Sequence, residues 1–253
     1  LSLKNTCLFV FTMLISIPSF SANTNIRGKA ASFHTLTDPL NVSKAYLSGI
    51  ARSTEPDTIR IMALRVQFAP DSLKTTTGNG HFNLSSESDY LIDPPPHDKM
   101  YFEHQLLALK NYFSAASKGR LVVEYQVFPP QNDDAYQTSN DMIYYSGEED
   151  EEKQKARWAE LLQDGIAAAE SQDNPDFSEF DTFIIYHAGV GKDFAFDFTE
   201  TPFDIQSAFI DFATLQETIG ENSPAYEGIP AGQDFFIQNG IILPEQQSQK
   251  EIN

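Results

Sequence analysis

The 253-residue sequence has little cysteine, tryptophan, histidine or positive charge. Its one cysteine, Cys7, lies in the first apolar run, so no disulfide can form within the chain and no thiol nucleophile stands in its body. Seventeen Lys and Arg face 36 Asp and Glu, a formal net charge of -19 at pH 7. A surface this acidic repels phosphate backbones and anionic lipid, which argues against a nucleic-acid partner and against adhesion to a charged membrane. Its ordinary meaning is solubility; the sharper one is cation binding. No Gly-x-Ser-x-Gly elbow occurs, which removes one serine-hydrolase signature. Of the five histidines, His34, His81, His97, His104 and His187, no two are four apart, the spacing that presents a zinc pair on one helix face. Internal repeats are absent.

What is present supports a folded domain. Twenty Phe, 10 Tyr and 41% hydrophobic residues suffice for a core. Lys4, the apolar run 7–17, Pro18 and the small-residue stretch 19–22 follow the order of a secretory signal peptide, with cleavage expected after Ser21 or Ala22. The run is shorter than the roughly 20 residues of a membrane span, although its single positive charge leaves a retained anchor open. Residues 1–22 are therefore read as a signal peptide, 23–55 as a linker or pro-region and 56–253 as the domain. Export leads to the medium, a periplasm or the cell surface, with no stable membrane association after cleavage. The sequence begins with Leu rather than Met, which fits an unusual start codon or a fragment.

Hydrophobic periodicity sets out the domain. Strands are expected at residues 59–68, 120–128 and 177–188, the last nearly continuous in apolar residues and so covered on both faces. A helix begins near Asp98 and carries Phe102, Leu106, Leu109, Tyr112, Phe113 and Ala116 on one stripe, ending near Gly119. A second follows the acidic run 148–152, with Ala159, Leu162, Ile166 and Ala169 inward and Trp158 and Leu161 at the margin. After a long acidic and aromatic loop, residues 235–244 form a last strand, in which Asn239-Gly240 marks a turn or bulge. Alternation of this kind predicts an α/β fold with a mainly parallel sheet and helices packed on it.

Candidate chemistry is sparse. His97 and His104 read as loop or surface histidines, because His97 precedes the helix. His187 ends a buried strand, where open α/β sheets gather ligands; a histidine bonded into a structural turn is the plainer alternative. Asp193, Asp197, Glu200 and Asp204 supply hard oxygen donors suited to calcium, or simply a solvated acidic loop. Gly189-Val190-Gly191-Lys192-Asp193 lacks the first glycine and the Ser or Thr of a phosphate loop.

Asp93-Pro94-Pro95-Pro96-His97-Asp98-Lys99-Met100-Tyr101-Phe102, with Tyr112 and Ser117-Lys118-Gly119-Arg120-Leu121, resembles the amino-terminal part of immune-inhibitor-A-like zinc metallopeptidases. So do residues 63–68 (Ala-Leu-Arg-Val-Gln-Phe), 184–189 (Ile-Ile-Tyr-His-Ala-Gly) and 241–245 (Ile-Ile-Leu-Pro-Glu), in the same order from about residue 57 to 247. The resemblance implies the upper subdomain of a zincin-like catalytic domain, in which one edge strand pairs with extended polypeptide substrate. It places that strand at 235–243, with Asn239, Gly240, Ile241 and Ile242 as substrate-binding residues and His187 beside them. The family's zinc motif, His-Glu-x-x-His-x-x-Gly-x-x-Asp, is absent from the sequence, so no catalytic residue or metal ligand is assigned. The expectation is the front part of a secreted zinc-dependent endopeptidase, truncated before its metal helix and inactive by itself, with zinc, and calcium as a further option, belonging to the longer protein. An exported, non-catalytic polypeptide-binding module is the alternative.

Overall fold

Six consecutive residues of β1 (Asp57–Gln67), from Ile61 to Val66, are buried, which requires cover on both faces. In the computed structural model, which describes residues 56–86, 93–194 and 201–247, β1 lies inside a six-stranded sheet. It pairs in parallel with β4 (Thr182–Val190), from Ile61 opposite Thr182 to Val66 opposite His187. On β4's other side β8 (Gly240–Gln246) also runs parallel, and the short β5 (Ala208–Ile210) closes that end antiparallel to β8. At the opposite end lies β2 (Leu121–Phe128), giving the order β2-β1-β4-β8-β5, while β3 (Tyr136–Gln137) adds parallel pairs to the end of β1. The fold is thus α/β with a mostly parallel mixed sheet. Thr58–Asn253 is one compact unit; a second, Leu1–Asp57, falls almost wholly outside the described residues.

Two long helices sandwich the sheet. Successive strand residues point to opposite faces, and β4 uses both. The Tyr186 ring packs 4.6 Å from Phe102 of α1 (Lys99–Ser117). Its neighbour Ile185 faces α3 (Glu151–Gln172), approaching so closely that a Cβ on Gly165 would meet Ile185 Cδ1 at 2.8 Å. Gly240 lies equally close to α3: a Cβ there would sit 2.6 Å from Leu162 Cδ1. Small residues let helix and sheet approach where larger ones would hold them apart.

The acidic composition has a local use. Asp98, Asp141, Asp150 and Asp211 cap α1, α2 (Met142–Ser146), α3 and α4 (Phe212–Thr218), each carboxylate accepting a backbone N–H of the first turn. Such a cap contributes about 1 kcal/mol, and negative charge suits the positive end of the helix dipole. At the other end of α1, Lys118 turns left-handed at φ 58°, followed by Gly119 at 75°.

Several expectations need correction. The run 235–243 is not an edge: β8 has β4 on one side and β5 on the other, with Ile242 opposite both Ile185 and Ala208. The end strand beyond β8 is β5, which lies in the segment read as a loop; that segment also contains α4 and β6 (Ile229–Pro230), the partner of β7 (Phe236–Ile237). The chain breaks between β7 and β8 at Gln238-Asn239. Tyr112 and Ala116 are exposed, because only Phe102 and Leu106 of the α1 stripe are fully covered. Leu161 is wholly buried rather than marginal, since α3 packs against α2 and α4 as well as the sheet.

Candidate functional site

Three of the sequence motifs meet in space at the carboxyl ends of β4 and β8. Glu245, 3% exposed, is the centre. Its Oε1 accepts the N–H of Asn83 at 2.8 Å and bonds His97 Nδ1, and its Oε2 accepts the N–H of Gly189 at 2.8 Å. The Tyr101 hydroxyl donates to the Glu245 carbonyl at 3.2 Å, and its ring lies 4.4 Å from that of His97. His97 lies in a loop before α1, one of the two places read for it, but not at the surface: it is fully buried against Glu245, 148 residues away. Burial pulls its pKa down, but the hydrogen bond and charge of Glu245 outweigh this, with help from Asp93, and the net shift is upward. Burial pushes the Tyr101 hydroxyl well above its ordinary value, so it stays a neutral donor.

Gly189 is required here. Its φ of 97° is left-handed, and a Cβ would collide with Met142 Cε at 2.6 Å. The turn it makes aims its N–H at the carboxylate.

His187 sits on the other face of β4, also fully buried, near Phe68 at 6.0 Å between ring centroids. Nδ1 lies 2.9 Å from the Ala188 carbonyl, and Nε2 has no partner at hydrogen-bond distance. Burial drives its pKa down to about 4, against the weaker upward pull of the Ala188 carbonyl, Glu245, Asp193 and the Ile205 carbonyl. It is neutral at ordinary pH, and its ring is fully covered.

A third buried site was missed in the sequence. Arg65, 1% exposed, donates to the carbonyls of Asn132 at 2.6 Å, Gln131 at 2.5 Å and Pro129 at 3.2 Å. It anchors the loop after β2, and Asn132 passes the restraint on through Nδ2 to the capping Asp98 at 2.8 Å. Burial lowers its pKa to about 10 against the charges of Asp98, Asp134 and Asp133, which leaves it a cation at neutral pH.

β5, one of the two end strands of the sheet, is positioned by Asp193. That carboxylate accepts the Ser207 N–H at 3.0 Å and hydroxyl at 2.8 Å and the Gln247 side chain at 3.2 Å, joining the start of β5 to the end of β8. Asp204 serves elsewhere: buried, it accepts the Thr77 N–H at 2.6 Å and hydroxyl at 2.7 Å, and burial raises its pKa. The proposed oxygen cluster is thus divided between two tasks, and Asp197 and Glu200 lie outside the described residues. Among the described residues no three His, Cys, Asp or Glu converge as a metal site, and no helix is long and apolar enough to cross a membrane. Of the residues expected to bind substrate, Gly240, Ile241 and Ile242 are interior strand positions and Asn239 precedes the strand.

No family model matches the chain, and no curated protein sequence matches it either.

Proposed function

We propose that this chain is the polypeptide-holding part of an exported zinc-dependent endopeptidase, acting outside the cytoplasm on the medium, periplasm or cell-surface side. The observation that carries this reading is β5: a short strand, antiparallel to its neighbour, bordering a mostly parallel sheet at one end. Extended polypeptide binds such an edge by continuing its ladder of main-chain hydrogen bonds. The motifs shared with immune-inhibitor-A-like peptidases supply the rest of the argument, and three of them converge on Glu245.

The residues described do not fit a zinc ion. His97 is engaged by Glu245 and Asp93, His187 is sealed in the core, and no other donor set converges among the described residues. No bond-breaking step is therefore assigned to them; their task is to bind and orient the chain to be cut. Expressing the reading frame through its stop codon tests the proposal. Chelator-sensitive hydrolysis of an unfolded protein by the longer product supports it. A frame without His-Glu-x-x-His sinks it and leaves the alternative, a polypeptide-binding module without hydrolysis.

A further inference from the structure

One row of side chains crosses the sheet and loses its cover from strand to strand. Residues paired across a ladder point to the same face. Ile184 of β4 stands opposite Ile241 of β8, and Ile241 opposite Phe209 of β5, so the three form one row. Tyr186, two residues beyond Ile184 and so on its face, packs against Phe102 of α1, which identifies this as the face that α1 covers. Exposure rises along the row: Ile184 is 3% exposed, Ile241 is half-buried and Phe209 is 40% exposed. The next residue of β5 behaves differently. Ile210 pairs with Gly240, which lies against Leu162 of α3, and it is buried. Phe209 is therefore the large apolar side chain of β5 that a strand added beyond it would meet.

Charge completes the pattern. Asp193 holds Ser207, immediately before β5, and Asp211 caps α4, immediately after it, so carboxylates flank Ala208–Ile210 at both ends. The whole chain adds the same sign, with a formal net charge of -19. We infer that β5 selects the polypeptide it holds: the residue paired with Phe209 is aromatic or large aliphatic, and the residues two places away on either side are cationic. This rests on the proposed polypeptide-holding role and names its substrate class, an extended basic segment with an apolar centre. The spacing follows from the pleat, in which residues two apart share a face. The central side chain continues the row of Ile184, Ile241 and Phe209, while the two cations come level with Ser207 and Asp211. An aromatic pair across a ladder strengthens binding up to about fivefold over an alanine pair. The charge pairs add an attraction that salt screens, and an acidic segment is opposed at both ends.

Fluorescence anisotropy of the 253-residue chain with three labelled peptides tests it. They are Ser-Lys-Thr-Phe-Thr-Lys-Ser, the same peptide with serine in place of phenylalanine, and the same peptide with glutamates in place of both lysines. The first is expected to bind about fivefold more tightly than the serine peptide. The glutamate peptide should bind more weakly than the first, by a margin that narrows as salt rises. Phe209→Ser should make the phenylalanine and serine peptides equal, whereas Phe209→Leu should keep most of the preference. Equal binding of those two peptides by the unaltered chain, or a preference that survives Phe209→Ser, overturns the selection while the polypeptide-holding role stands. Glutamates that bind as well as lysines overturn the charge pattern. Binding of none of the three peptides overturns both the selection and the role. Should Phe209→Ser not fold, the peptide series on the unaltered chain decides.

Discussion

His97 and His187 are equally buried and both feel the carboxylate of Glu245, yet the pKa of one is raised and that of the other is lowered. The difference is the number of fixed acceptors. His97 has one at each ring nitrogen, while His187 has the Ala188 carbonyl at Nδ1, no acceptor at hydrogen-bond geometry for Nε2, and only a weak further pull from the Ile205 carbonyl. Arg65 extends the comparison: as deeply buried, it stays charged because three carbonyls converge on it. Burial alone therefore does not set the charge state; convergent acceptors decide whether a cation is tolerated.

The comparison breaks most sharply at Glu245. Glu245→Ala leaves His97 without its partner and two buried N–H groups without an acceptor, and a loss of about 3–5 kcal/mol is expected in chemical denaturation. Arg65→Met removes a buried cation but orphans the carbonyls of Pro129, Gln131 and Asn132. A loss of about 3 kcal/mol is expected, with exchange increased in the loop after β2. His187 separates the histidines by pH. Its folded pKa of about 4 lies below the unfolded 6.5, so the unfolded chain binds the extra proton and stability falls as pH drops from 6.5 to 4. His187→Gln should flatten that acid limb, by up to about 3 kcal/mol at pH 4 relative to pH 7, while leaving the alkaline limb due to His97 intact. The smallest effect concerns the edge. Asp193→Ala removes exposed hydrogen bonds and should change stability by about 1 kcal/mol or less. Under the proposed function it loosens β5, and the Kd of an extended peptide, read by fluorescence anisotropy, should rise severalfold.

Much of the architecture was legible. Partial alternation gave β1 and a nearly continuous apolar run gave β4, while the helix period behind Asp98 and behind the acidic run 148–152 gave α1 and α3. The edge was not. Three residues, Ala208–Ile210, are too few for any period to register, and the edge was placed at 235–243 by the resemblance alone. Pro244 sits within β8 because β5 reaches only to Ile242, so β4 alone borders the strand there. The buried polar sites were illegible for a different reason. Arg65 looks like a surface residue in an alternating strand, and its acceptors stand 64–67 residues further along. His97 differs from His104 only by a glutamate 148 residues away. The motif Leu243-Pro244-Glu245 was the one available signal, noticed as a resemblance before its geometry gave it a reason.

The brevity of β5 has a consequence for how copies of this chain behave at high concentration. A long, flat edge invites identical strands to stack without limit into fibrils. Three residues, closed by Asp193 behind Ser207 and by Asp211 at the start of α4, give room for one short segment and place negative charge at both ends of it. A second copy, as acidic as the first, is repelled before its own edge can align. The same dimensions that would let this edge hold a passing polypeptide keep β5 from pairing without limit.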